Sequence, residues 1–208
     1  MKIEGKENIP KRGRFIIASN HQNFFDGSII ANLFSPFKKL NFLISKRPIK
    51  SPFFKYLGKV IGFAVMGNGL DEYYRALKRL NNYLTHGGVV GIFPEGIVTG
   101  FNIPTKFKGG VAKLSLDSQS SVLPVYLNGT YELRNFKYWL TRPTITIKIG
   151  KPIDLYNYFP ICGNNLDKVA AVLREKVVDL IEPKEIEVLE EKEALEDMGT
   201  CPQVLVKT

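Results

Sequence analysis

Phe15-Ile16-Ile17-Ala18-Ser19-Asn20-His21-Gln22-Asn23-Phe24-Phe25-Asp26-Gly27 is the stretch whose reading decides the fold. Its first four residues form a continuous apolar run, the pattern of a strand buried on both faces. The polar residues that follow end that run, and Asp26-Gly27-Ser28 before Ile29-Ile30 has the composition of a helix start. A basic ring and a carboxylate thus stand at the exit of a buried strand. On one continuous helix His21 and Asp26, five residues apart, would point about 140° apart. They meet only across a turn.

Working outward, further β-branched apolar runs occur at 41–44, 60–65, 89–93, 122–127 and 144–149, and each reads as a strand. Leu70, Tyr73, Tyr74, Leu77, Leu80 and Leu84 repeat at helical spacing, with His86-Gly87-Gly88 as a stop. A second amphipathic helix carries Leu166, Val169, Ala170, Leu173, Val177, Leu180 and Ile181 and ends before Pro183. Shorter helices are expected after Asp26 and after Gly110. Strands alternating with helices predict an α/β protein, a mixed, largely parallel sheet covered by helices.

The composition narrows the function classes. Eight acids against two lysines between Glu182 and Asp197 carry −6 of the overall +9, leaving about +15 on the rest. Such a body attracts anions: phosphorylated cofactors, an acidic carrier protein, an anionic membrane or nucleic acid. No nucleic-acid-binding motif accompanies the charge, so nucleic acid is not expected as a partner. From Gly27 to Leu70 there is no acidic residue, while Lys38, Lys39, Lys46, Arg47, Lys50, Lys55 and Lys59 alternate with Phe34, Phe37, Phe42, Phe53, Phe54 and Tyr56. Cations that meet headgroups and rings that sink among them suit an anionic membrane surface; the plainer reading is a solvated rim whose aromatics face the core. No run approaches the roughly 20 apolar residues of a membrane-spanning helix, and the amino terminus lacks the apolar core of a secretory signal. The expected location is cytoplasmic, peripheral on the cytoplasmic face of the membrane. Cys162 and Cys201 lie far apart without metal-ligand spacing, so neither a zinc site nor a disulfide is expected.

For His21 and Asp26 two readings stand side by side. Asp26 is a plain helix N-cap, or it hydrogen-bonds one ring nitrogen of His21 so that the other accepts a proton. The chain has no G-x-S-x-G elbow and no cysteine near the pair, so the proton would come from a hydroxyl on a bound substrate. A histidine base works only when neutral, so the rate should fall on acidification.

Asn20-His21-x4-Asp26, then Phe93-Pro94-Glu95-Gly96, then Val122-Leu123-Pro124-Val125, together with Glu7-Asn8-Ile9-Pro10 and Lys106-Phe107-Lys108-Gly109-Gly110, resemble the glycerolipid acyltransferase family in order and spacing. The resemblance runs from about Glu4 to Pro152. It implies that residues 1–183 form an acyltransferase domain and 184–208 an acidic C-terminal tail. It also implies transfer of a fatty acyl group from an acyl-CoA or acyl-carrier-protein thioester, as co-substrate, to a lysolipid hydroxyl in phospholipid biosynthesis, with 1-acyl-sn-glycerol-3-phosphate as the leading acceptor. No further cofactor and no metal is implied. His21 would be the general base and Asp26 its orienting partner. Pro94, Glu95, Gly96 and Lys108 would bind substrate, and Pro124 would serve the acyl donor or the packing. Backbone N–H groups near the pair or near Gly96 would receive the oxyanion. Two arginines usual for phosphate-bearing acceptors are missing, with Asn68 and Val98 in their places. Arg75, Lys106 or Lys108 is then expected to supply the charge. The alternatives are a lipid alcohol without phosphate, or a catalytically silent lipid-binding relative.

Overall fold

A computed structural model describes residues 1–33, 40–45, 62–66, 69–100, 102–134, 144–183 and 186. The strands are β1 (Lys2–Glu4), β2 (Phe15–Ser19), β3 (Leu40–Ser45), β4 (Gly62–Met66), β5 (Val89–Ile92), β6 (Ser121–Asn128) and β7 (Thr146–Ile149). The α-helices are α1 (Asp26–Ala31), α2 (Leu70–Thr85), α3 (Gly110–Ser118), the short α4 (Tyr158–Ile161) and α5 (Leu166–Val178). The strands make one sheet in the order β1-β7-β6-β2-β5-β3-β4. Among the described strands only the β6–β7 pair is antiparallel; the other pairs are parallel. This is the expected α/β architecture. β1 was not anticipated, because Lys2-Ile3-Glu4 carries no apolar run; it exists by pairing with β7.

β2 is the middle of the core. All five of its residues are buried, and alternate ones face opposite layers. Ile16 and Ala18 join Val90, Ile92, Val122 and Tyr126 under α2, α3 and α5. Phe15 and Ile17 join Leu123, Val125, Leu127 and Ile30 of α1 on the other side. Full burial of each Ile, Val, Leu or Phe side chain among these contributes about 1.5–3 kcal/mol. α2 ends where the sequence stops it: Gly88 N–H bonds to Tyr83 C=O at 3.0 Å and Gly87 N–H to Leu84 C=O at 2.8 Å, a Schellman closure. α5 begins with Asn165, whose side chain accepts from the N–H groups of Asp167 and Lys168. Pro124 is buried inside β6 opposite Ala18, and its ring packs where a side chain on Gly150 would lie. That location is one of packing.

Part of the basic, aromatic stretch is core rather than surface. Phe42 is buried in β3, which lies between β5 and the terminal strand β4. Lys38, Lys39, Lys46, Arg47, Lys50, Lys55, Lys59, Phe34, Phe37, Phe53, Phe54, Tyr56 and Asn68 lie outside the described residues. So does the acidic tail except Ile186, which packs against the main core.

The adjacent parallel strands β6, β2 and β5 end side by side, and in open α/β sheets ligands bind at such carboxyl ends. At the end of β2 the side chain of Asn20 prolongs the ladder. Its Nδ2 donates to Leu127 C=O at 2.9 Å and its Oδ1 accepts from Leu127 N–H at 2.8 Å. Asn20→Ala orphans both buried groups, at a cost of roughly 1–3 kcal/mol each. Urea unfolding should show a lower midpoint with an unchanged slope.

Candidate active site

The chain leaves β2 as a turn in which His21, Gln22 and Asn23 are each held by a distant partner. His21 N–H donates to Glu95 Oε1 at 3.3 Å, and His21 C=O accepts from the N–H and hydroxyl of Thr99 at 2.9 and 3.2 Å. Gln22 Oε1 accepts from the Thr130 hydroxyl at 3.1 Å, and Asn23 Nδ2 donates to Thr130 C=O at 3.0 Å. The turn is therefore clamped between the segment after β5 and the residues after β6.

This path brings His21 and Asp26 together. Asp26 Oδ2 lies 2.9 Å from His21 Nδ1 and also accepts from the N–H groups of Gln22 and Asn23, both at 2.7 Å. Because Oδ2 is an acceptor for those amides, the proton of the neutral imidazole sits on Nδ1 and the lone pair on Nε2. The N-cap reading of Asp26 is corrected here. Phe25 is the cap residue, Asp26 is the first residue of α1, and its fully buried side chain turns back toward the loop. The energetic reason is that two loop amides and an imidazole need an acceptor at that point.

The ring of His21 is fixed on its face as well. It stacks on Phe93 with centroids 4.0 Å apart and planes at 13°, and Phe93 stacks in turn on Phe42 at 5.8 Å. Phe42 can lie there because residue 91 is glycine; a Cβ at Gly91 would fall 2.2 Å from the Phe42 ring. An imidazolium above an aromatic face gains about 0.5–2 kcal/mol. The imidazole side chain remains 18% exposed, while that of Asp26 is sealed.

Phe93-Pro94-Glu95-Gly96 leaves β5 as a turn closed by Gly96 N–H to Phe93 C=O at 3.0 Å, with Gly96 at φ +75°. Lys108 N–H donates to Pro94 C=O at 2.9 Å. The Lys108 side chain runs across Gly96, its Nζ 2.7 Å from where a Cβ would stand. Pro94, Glu95, Gly96 and Lys108 are thus one cluster, joined to His21 through Glu95. Within it Pro94 and Glu95 are buried, whereas Gly96 and Lys108 are exposed. Glu95, expected to touch the acceptor, has both oxygens turned inward: Oε1 to His21 N–H and Oε2 to the Thr105 hydroxyl at 3.0 Å.

The amides of Gln22, Asn23, His21 and Gly96 are all engaged inside the protein. Gln22, Asn23, Thr99, Thr105, Thr130 and the Phe42 stack were not identified from the sequence. Their partners lie as far as 108 positions away, and a lone Thr or Asn leaves no periodic signal.

Burial raises the Glu95 carboxyl above its ordinary 4.5, partly offset by the hydrogen bonds from Thr105, Thr99 and His21 and by the nearby imidazole. With a raised value, the folded state binds the proton more tightly than the unfolded chain. The associated stability is complete below 4.5 and is lost as pH rises through the raised value. Glu95→Gln, which keeps the shape without the charge, should therefore melt higher than the wild type at pH 8. The gap should close below about 4.5 in melting curves taken across pH.

Comparison with known proteins identifies the family. The family model for Acyltransferase matches residues 1–128. A 1-acyl-sn-glycerol-3-phosphate acyltransferase of Borreliella burgdorferi is 30% identical over 136 residues, covering 64% of this chain and 52% of that protein. A chloroplastic 1-acyl-sn-glycerol-3-phosphate acyltransferase of Arabidopsis thaliana is 28% identical over 179 residues, 81% of this chain and 48% of the relative. The chain thus spans about half the length of the curated relatives it matches. The crystal structure of the 1-acyl-sn-glycerophosphate acyltransferase of Thermotoga maritima superposes with a TM-score of 0.65 at 25% identity, covering 86% of this chain and 71% of that one. Since the matched span runs from β1 through the His21–Asp26 pair and the Phe93–Gly96 turn to the last residue of β6, the chain belongs to the glycerolipid acyltransferase family.

Proposed function

We propose that this chain transfers a fatty acyl group from an acyl-CoA or acyl-carrier-protein thioester to a lysolipid hydroxyl, with 1-acyl-sn-glycerol-3-phosphate as acceptor. The observation that carries the reading is the His21 Nδ1–Asp26 Oδ2 contact of 2.9 Å beneath a partly open imidazole. Nε2 takes the proton of the acceptor hydroxyl as its oxygen attacks the thioester carbon. Asp26 and the Phe93 face stabilise the resulting imidazolium. The tetrahedral oxyanion collapses, the carbon–sulfur bond breaks, and the imidazolium returns its proton to the departing thiolate. No acyl-enzyme is required. The amides of Ile97 and Val98, exposed residues next along the same turn, are the oxyanion donors in this reading.

The acceptor's phosphate is assigned to Lys108. Its ammonium lies across Gly96 on the exposed side of the turn, where a charge-assisted hydrogen bond to phosphate would form. The names of the relatives support that acceptor. Val98, apolar and 48% exposed where an arginine was expected, favours a second reading, a lipid alcohol without phosphate.

The rim of the site suits a lipid surface. Phe24, Ile97 and Val98 are 43%, 63% and 48% exposed within three residues of groups bonded to His21. Lys106 and Lys108 are exposed beside them, while the carboxylates of the two loops, Asp26 and Glu95, are buried. Cations among exposed apolar side chains, with no exposed acid between them, fit an anionic bilayer. Among the described residues no helix is long and apolar enough to cross a membrane.

Purified protein given acyl thioester and a panel of lysolipids should release thiol and acylated lipid. His21→Ala should lower that rate roughly 10²–10⁴-fold; an unchanged rate removes His21 as base. Lys108→Ala should raise KM for the phosphate-bearing acceptor by about tenfold and leave a neutral lipid alcohol unaffected. Preference for the neutral alcohol in the wild type selects the second reading, and tight liposome binding without turnover on any acceptor selects a silent relative. Co-sedimentation with phosphatidylglycerol vesicles should weaken in Ile97→Asp and at high salt.

A further inference from the structure

We propose that Arg174, on α5, is a positioning residue for His21, acting through Thr105 and Glu95. This rests on the acyl-transfer reading of the site but concerns a helix that lies wholly beyond residue 128, where the family match ends.

The segment from Asn102 to Gly109 contains no strand or helix, so its shape depends on what grips it. α5 grips it at two points. Arg174 Nε donates to Pro104 C=O at 2.9 Å and to Thr105 C=O at 3.0 Å. Asp167 Oδ1 accepts from Gly109 N–H at 2.9 Å. Residues 167 and 174 are seven apart, two turns along one helix face, so one edge of α5 runs beside the segment. α5 itself is seated by Ala170, Leu173 and Val177, all fully buried. A half-buried guanidinium projecting from a fixed helix is a firm anchor, because its planar donors lose little freedom on binding.

What the anchored segment delivers is one hydroxyl. Thr105 Oγ1 donates to Glu95 Oε2 at 3.0 Å, and Glu95 Oε1 accepts from His21 N–H at 3.3 Å. The path from α5 to the backbone of the reactive histidine is therefore hydrogen-bonded at every step. Glu95 is 3% exposed, so a lost Thr105 hydroxyl is not replaced by bulk water. Thr99, the other hydroxyl bonded to this carboxyl, then holds it alone; the carboxyl turns or takes up a proton, and its bond to His21 N–H weakens. The imidazole is aligned between the Asp26 carboxylate and the Phe93 ring, and displacement of its backbone moves Nε2 relative to the acceptor hydroxyl. Misplacement by about 1 Å can cost on the order of 10²-fold in rate. Arg174 touches no reacting atom; its effect passes through the two groups between.

The test compares Arg174→Ala, Thr105→Val, Thr105→Ser and the Arg174→Ala/Thr105→Val pair, with Lys176→Ala on the exposed side of the same helix as control. Two readouts are taken: kcat and KM for acyl transfer, and hydrogen exchange of the His21 amide by NMR. Thr105→Val and Arg174→Ala should each lower kcat by roughly tenfold with KM within about twofold. Thr105→Ser should restore the rate, and the double variant should fall no further than the slower single, since the two act in series. His21 N–H should exchange roughly tenfold faster in Thr105→Val and Arg174→Ala and unchanged in Lys176→Ala. Additive losses, no rescue by serine, or a His21 amide that exchanges at the wild-type rate in Thr105→Val would overturn the proposal. If the wild type transfers no acyl group, the functional reading fails by itself, and the exchange of the His21 amide still decides the relay. Should Arg174→Ala not fold, the two Thr105 variants decide it.

Discussion

Three donors converge on one oxygen, Asp26 Oδ2: the imidazole Nδ1 of His21 and the backbone amides of Gln22 and Asn23. Asp26 Oδ1 is buried without a hydrogen-bond partner among the described residues, so the whole load falls on that single atom. This constraint makes a five-residue turn out of a polar stretch that has no regular structure of its own. It also chooses the imidazole tautomer, and with it which nitrogen faces outward. The depth of the carboxylate matters as much as its contacts. Sealed from water, its interaction with the imidazole is not screened as a surface pair would be.

The sheet makes that convergence possible. Parallel pairing of β2 with both β5 and β6 sets three strand ends side by side. The chain emerging from β2 then finds Glu95 and Thr99 on one flank and Leu127 and Thr130 on the other. None of these is adjacent in sequence to His21, and each supplies a bond that the polar turn needs once it is out of water. The aromatic column Phe42–Phe93–His21 adds a wall normal to those bonds. Hydrogen bonds set the height and direction of the ring, and the stack sets its plane.

Glu95 shows why a motif is not the same as a role. Its place in Phe93-Pro94-Glu95-Gly96 marks a turn beside the site, yet its carboxylate faces the protein and organises the backbone of His21. The exposed part of the same turn is Gly96 with Lys108 lying over it, followed by Ile97 and Val98. In the function we propose, binding chemistry falls to the exposed part of the turn and to Lys108, and the buried acid supports them. The helix α5, through Arg174 and Asp167, steadies the segment from which both Thr105 and Lys108 project.

By itself the sequence determined the elements whose signal is local. Buried strands announce themselves by apolar runs, α2 by its leucine spacing and its His86-Gly87-Gly88 stop, and α5 by its apolar stripe, because burial selects those patterns along the chain. It also brought His21 and Asp26 forward as a pair, since a strand exit followed by a helix start leaves them only a turn apart. Tertiary structure alone decided the rest. It turned Asp26 away from capping its own helix, stacked Phe42 on Phe93 in the core, engaged the amides of His21, Gln22, Asn23 and Gly96, and recruited Thr99, Thr105, Thr130 and Arg174. A hydrogen bond across 70 or more positions depends on where two strands end in space, and no pattern in the chain records that.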